Sequence, residues 1–181
     1  MAAHQSLEAL TEDRWAYLIS SAEQSVLHLE MRDAYAVDDP EFADWKAGRA
    51  VDPADREAWW VPWWHGSIQA AVSRGVRVRR ARIVSEPVSE YIHFEHDVTY
   101  TNVAAGEEVR WLPRRLASGI ALPGNDFWLF DERLAVFNHF TGAGQAAGNE
   151  VCEVPATLKL CADAFASVWE RAVPHEDYRP G

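Results

Sequence analysis

Apolar residues recur near helical spacing from Ser6 to Ser21 (Leu7, Leu10, Trp15, Leu18, Ile19), which predicts an opening helix within residues 1–24. Ser25–Tyr35 alternates instead. Leu27, Leu29 and Met31 share one parity, and Val26, His28, Glu30 and Arg32 the other, the pattern of a strand with one apolar face. Asp38-Asp39-Pro40 reads as the cap and first turn of a short helix that stops at Gly48, and Ala50–Arg56 as a polar connection. A longer helix is predicted from Asp55 to Arg74. Pro62 restarts or kinks it in the middle of Trp59-Trp60-Val61-Pro62-Trp63-Trp64.

The chain is organised around Val76–Pro113. Gly75 ends the preceding helix, and Val76–Val84 reads as a strand. Glu86-Pro87 opens a helix that ends before Thr101-Asn102 and Gly106, and Glu108–Leu112 is a second strand, completing a β-α-β unit. Arg114–Gly124 is a loop. Asp126–Phe140 is a hairpin about Asp131-Glu132-Arg133, and Thr141–Asn149 is a Gly/Ala-rich connection, mobile or merely tight. Pro155–Val173 is the closing helix, followed by a polar, frayed tail over residues 174–181. This order predicts a single α/β domain over residues 1–181. Its sheet is mixed and mostly parallel, flanked by helices, with a β-hairpin and a closing helix in the C-terminal half. Ligands of such sheets sit at the carboxyl ends of the strands, here Tyr35, Val84–Glu86, Pro113–Arg115, and Asp131 if its strand is parallel.

Composition narrows the class. With 181 residues, 48% hydrophobic and 25% charged, the chain is of globular type and can form a substantial core. No apolar run approaches the ~20 residues of a membrane helix. MAAHQSLEALTEDRW lacks the basic start and apolar core of a signal peptide, so a cytoplasmic location is expected. Two cysteines, Cys152 and Cys161, are too few for a disulfide framework and read as buried or idle thiols. A net charge of −11 argues against direct binding of nucleic acid. The basic charge is concentrated nonetheless: Arg74–Arg115 carries eight arginines against six acids.

That concentration suggests chemistry. The strand parity changes at Arg79-Arg80, and a bulge there would re-aim Arg80 and Arg82 to bind an anion with Arg110 of the next strand. Internal pairing with Glu30, Glu95 or Glu108 explains the same residues. Four tryptophans in six residues cannot all face one way on a helix. Trp59, Trp60, Trp63 and Trp64 therefore form either an aromatic platform for a flat ligand or partner, or a cover over the sheet. His93, Glu95 and His96 lack a recognised zinc spacing and no metal is expected. A Ser118/His139/Asp131 triad has no nucleophile elbow behind it, and no cofactor is expected, because neither a P-loop nor GxGxxG is present.

The order of elements resembles the half-domain of the phospholipase D superfamily, whose enzymes carry H-x-K-x4-D. Setting Asp131 as the Asp of that pattern places Gly124 at the His and Asp126 at the Lys. The resemblance thus implies the fold with the phosphodiesterase nucleophile missing. HLEMRDAY, RGVRVRRARIVSEPVSEY, NVAAGEEVRWL and DFWLFDERLAVF together resemble an uncharacterised actinobacterial domain family found with or near helix-turn-helix regulators. That resemblance implies a regulatory role, with any DNA contact belonging to a partner. The expected function is a non-catalytic regulatory or binding module for a small anionic or nucleotide-like ligand, or for a regulator protein. Its site would be Arg80, Arg82, Arg110, Trp111 and Tyr35 with Glu30, Asp126 and Asp131, and a second copy of the chain is a further candidate partner. The alternative is an enzyme, a hydrolase or a tailoring activity, using Glu30, Asp126, Asp131 or His139.

Overall fold

The computed structural model describes residues 7–35, 40–49 and 51–181; Ser6 and Asp38-Asp39 lie outside them. Helix α1 (Glu12–Ser21) starts where the Thr11 side chain accepts from the Arg14 N–H, one turn later than the periodicity predicts. Strand β1 (Ser25–Glu30) also ends before its alternation does. Helix α2 (Pro40–Lys46) follows. The predicted long helix is three pieces: α3 (Arg56–Trp59), a π-turn at Pro62–Gly66, and α4 (Ser67–Ser73). Pro62 enters at the first position of the π-turn, where its missing N–H costs nothing, so it restarts the helix. Gly75, at φ +90°, stops α4 and releases the chain into β2 (Arg77–Val84).

Pro87 lies outside the next helix. Ser89 caps α5 (Glu90–Val98) by accepting from the Ile92 N–H, and α6 (Tyr100–Ala105) leads to β3 (Glu108–Pro113). A short 3-10 turn, Arg114–Leu116, follows. Next come β4 (Phe127–Phe130), β5 (Leu134–Phe140), β6 (Ala146–Cys152), α7 (Pro155–Arg171) and β7 (Val173–Pro174).

The strands form one seven-stranded mixed sheet in the order β6-β5-β4-β1-β2-β3-β7, flanked by helices. Parallel pairing is confined to β1–β2–β3. The other four pairings are antiparallel, so the sheet is less parallel than expected. For β4–β5 and β5–β6 the reason is their short connections, which permit only antiparallel neighbours. Thr141–Asn149 is a connection only in part: Ala146–Asn149 belong to β6, which pairs with β5 from Ala135↔Cys152 to Phe140↔Ala146. Gly148 (φ +104°) accommodates the backbone of Leu7, which would lie 2.7 Å from a Cβ there. No bulge interrupts β2. Val78, Arg80, Arg82 and Val84 all face one side in unbroken register with β1 and β3.

The opposite face, with Leu29, Ala81, Ile83, Phe127 and Leu129, packs on Leu158, Cys161, Phe165 and Val168 of α7. On the Arg80/Arg82 face two apolar groups flank the charges. Leu18, Ile19, Ile68 and Ala71 sit with Val26, Val78 and Trp128, and Tyr91, Ile92 and Phe94 sit with Val84, Val109 and Trp111. The C-terminal tail is ordered rather than frayed. β7 pairs with β3, and Tyr178 stacks on Trp111 with centroids 5.5 Å apart and planes 8° apart. Aromatic stacking in a buried pocket explains why a polar segment is held. Tyr178→Ala is therefore expected to lower the stability measured by urea unfolding by about 3–5 kcal/mol; a loss under about 1 kcal/mol would mean that the tail contributes little.

Candidate functional site

Strict alternation along β2 forces Arg80 and Arg82 under the helices, where a bare guanidinium cannot remain. The chain supplies the anions. Glu30 of β1 takes Arg80 on Oε1 and Arg82 on Oε2, the latter at 2.5 Å. Arg80 reaches Glu107 (2.9 Å), and Arg82 reaches Glu95 (2.6 Å) and the Thr99 hydroxyl (2.9 Å). Asn102 donates to Glu107 and Tyr91 to Glu95. Arg82 also lies over the Trp111 ring and Arg80 over Trp128. Burial alone would raise the pKa of Glu30, but Arg82 and Arg80 outweigh it and hold that carboxyl well below the usual range. His28, stacked on Trp128 with centroids 3.8 Å apart, is kept neutral by burial and by Arg80.

The anion-binding expectation for Arg80 and Arg82 is thus corrected. Their charges are satisfied inside the protein, because both are buried and three carboxylates surround them. Arg110 does not join them. One residue from Trp111 along β3, it points to the other face, where it lies 4.4 Å from the centre of the Trp169 ring and donates to the Trp169 carbonyl. Glu108 likewise pairs with Arg79, away from the buried layer.

The carboxyl end of the parallel strands is also occupied. Asp33 accepts from the Ser85 N–H (2.6 Å) and hydroxyl (2.7 Å). Arg114 donates to Ser85, to Asp33 and to the carbonyls of Met31 and Ile83, tying the strand ends together. Tyr35 donates to Asp126 (2.6 Å), which also accepts from the Met31 N–H. Burial, with the Glu30 charge adding to it, pushes Asp126 up to about 6 even though the Tyr35 hydrogen bond opposes the shift. Burial also raises the Tyr35 hydroxyl.

Asp131 sits at the other end of the sheet, because β4 runs antiparallel to β1. Both Asp131 and Glu132 have positive φ in the three-residue loop that joins β4 to β5, closed by the Arg133 N–H donating to the Phe130 carbonyl, and Asp131 accepts from the N–H groups of Glu23, Gln24 and Ser25. Those bonds, with Arg133, outweigh burial and lower its pKa. His139 pairs with Glu150 at the far end of β5, so Ser118, His139 and Asp131 do not assemble as a triad. Among the described residues no group of His, Cys, Asp and Glu is placed to hold a metal.

An aromatic-lined opening lies on the outer side of the helical layer. It encloses about 670 Å³ between α2, the Val51–Val61 segment, the π-turn and α5–α6. Trp59, Trp63 and Trp64 line it with Trp45, Phe94 and Tyr100, and Glu41, Asp44, Arg49 and Asp97 are its charged members. Trp60 turns away, its ring covered by Arg56 at 3.7 Å. The Trp59 ring meets Tyr100 at 90° and His65 at 88°, and the His65 Nδ1 accepts from the Val61 N–H, which fixes the turn. Asp97 accepts from the Trp45 indole N–H at 2.9 Å. The sequence reading found the Trp run but missed Trp45, Phe94, Asp97 and Tyr100. For Phe94 and Asp97 the signal is the 94, 97, 98, 101 spacing, one continuous helical face carried across the α5–α6 junction; nothing local marks Trp45 or Tyr100.

A mixed seven-stranded α/β domain with a sealed charge layer and an aromatic cavity defines the class of protein. Residues 13–180 match the family described as "Domain of unknown function (DUF6879)", and the chain belongs to that family. No curated protein matches it. Similar solved structures include a phospholipase D family member, Nuc, from Salmonella typhimurium (14% identity, 91% of this chain and 88% of that one, TM-score 0.49). NucT from Helicobacter pylori is similar too (13%, 90% and 89%, TM-score 0.48), as is TrmBL2, an archaeal chromatin protein (12%, 95% and 55%, TM-score 0.47). No helix among the described residues is long and apolar enough to cross a membrane.

Arg82→Ala would leave Glu30 and Glu95 buried with one cation fewer, so urea unfolding is expected to register a loss of about 3–5 kcal/mol. A loss within about 0.5 kcal/mol would contradict the layer. Asp126 yields a pH prediction. The folded protein holds its proton to a higher pH than the unfolded chain does, so ionising it costs stability as pH rises from about 4 to 7. Compared with Asp126→Asn, the native chain should gain on the order of 1 kcal/mol between pH 7.5 and pH 5. A stability difference that does not change with pH would show that Asp126 titrates normally.

Proposed function

We propose that the chain is a non-catalytic binding module that takes a flat, largely apolar small molecule into the cavity lined by Trp45, Trp59, Trp63 and Tyr100. The observation that carries this reading is the cavity itself: about 670 Å³, within the size range of small-molecule sites, walled by aromatic side chains from four segments. The acid groups weighed for an enzyme favour it less. Glu30 is held between two arginines, Asp131 caps a backbone turn, and Asp126, though perturbed, is bound by Tyr35 and the Met31 N–H. Among the described residues the lining shows no nucleophile hydrogen-bonded to a base: the Nδ1 of His65, the one histidine among them, is taken by the Val61 N–H.

Thermal shift against a panel of planar heterocycles tests this. A compound at ~100 times its dissociation constant adds about 2.7 kcal/mol, which raises the midpoint by roughly 5–10 °C for a chain of this length. The shift is expected to vanish in Trp59→Ala and Trp63→Ala and to persist in Arg110→Ala. Hits that survive both Trp variants and fail in Arg110→Ala would move the site to the opposite face of the sheet.

A further inference from the structure

Four of the nine tryptophans of this protein carry an arginine over the ring face. Arg56 covers Trp60, Arg80 lies over Trp128, Arg82 over Trp111, and Arg79 and Arg110 over Trp169. Among the described residues the indoles of the cavity are different: Trp45, Trp59, Trp63 and Trp64 have no cation of the chain over their faces. The charges around them are predominantly negative. Arg49 is the one Lys or Arg of the lining, and it is bound at 2.6 Å to Asp44 of the same wall. Among the described residues no Lys or Arg pairs with Asp97; its charged neighbour is His96, 3.9 Å away, whose pKa is lowered, mainly by burial. At Tyr100, burial and then the charges of Glu41 and Asp52 raise the hydroxyl pKa, so this wall lies in a negative field.

Building on the cavity reading above, we infer that its ligand carries an organic cation, a quaternary ammonium attached to a flat or apolar body. The negative face of an aromatic ring attracts such a cation, and several rings around one space strengthen that attraction as water is excluded. The acceptors of the wall favour a quaternary centre over a primary amine. Asp97 already accepts from Trp45, and Asp44 from Arg49. A primary ammonium would bring three donors and lose its water to reach them, whereas a quaternary nitrogen has no N–H to satisfy.

Phenyltrimethylammonium and its neutral isostere tert-butylbenzene, titrated against tryptophan fluorescence of the full chain, separate charge from shape. The cation is expected to bind at least about tenfold more tightly than the isostere. Trp59→Ala and Trp63→Ala should each abolish the preference. Asp97→Asn, which keeps an acceptor for the Trp45 indole, should weaken the cation several-fold and leave the isostere unchanged. Equal or tighter binding of tert-butylbenzene, lost in the Trp variants, overturns the charge inference while the cavity reading stands. Binding of neither probe overturns the inference, and the planar heterocycle panel then decides the cavity reading separately. Cation binding that survives both Trp variants overturns the inference too, since it would place the site elsewhere.

Discussion

One carboxylate between two guanidiniums holds this architecture. Glu30 accepts from Arg80 and Arg82 at once, and those residues come from adjacent parallel strands in a register where His28 faces Arg80 and Glu30 faces Arg82. A slip of one residue would turn both arginines to the α7 face, away from every partner they have. The layer carries three carboxylates and two guanidiniums out of water, a state that persists only if each has its counter-charge and hydrogen bonds. Its value is therefore specificity more than raw stability. It fixes which strands pair, and it divides the apolar material on that face into two groups.

The layer also decides where a ligand can go. Glu95, Thr99 and Asn102 follow helical spacing and bind the layer or its partners, so the inner side of α5–α6 is anchored to the sheet. Phe94, Asp97, Val98 and Thr101, on a second face of the same segment, then look toward the Trp-rich π-turn, and the cavity is the space between. At the carboxyl ends of the parallel strands, Arg114, Asp33 and Ser85 use one another, which leaves a polar notch of about 320 Å³ beside Arg115 and Ser118. The usual crevice of an open α/β sheet is thus largely filled, and the larger opening lies beyond the helices instead.

Much of the fold was legible because its signals are local. Alternation marks β1, apolar residues between breakers mark β2, two apolar runs about a polar turn mark the β4–β5 hairpin, Pro62 marks the break in the long helix, and Gly75 the end of α4. What escaped depends on distant contacts. β6 is Gly- and Ala-rich and becomes a strand where β5 offers an edge, and the tail is held by pairing with β3 and by stacking on Trp111. The reading at Arg79-Arg80 failed for a physical reason. The apolar residues Val76, Val78, Ile83 and Val84 change parity there, which suggests a bulge, whereas β2 keeps plain alternation, buries Arg80 and Arg82 among the apolar residues, and internal acids accept them. Internal pairing was one of the two open readings, and Glu30 and Glu95 were named for it; Glu107 was not, since nothing local marks it as buried. The Trp run was visible, but its partners Trp45, Phe94 and Tyr100 come from other segments.

The most direct measurement is a ¹H–¹⁵N spectrum of the indole N–H groups, recorded with and without phenyltrimethylammonium. The chain has nine tryptophans, placed on both faces of the sheet, so the signals report position as well as binding. The account predicts that Trp45, Trp59, Trp63 and Trp64 shift while Trp111, Trp128 and Trp169 hold still. Shifts confined to Trp111 and Trp128, which lie against Arg82 and Arg80, would mean that the charge layer opens to ligand, and would contradict it.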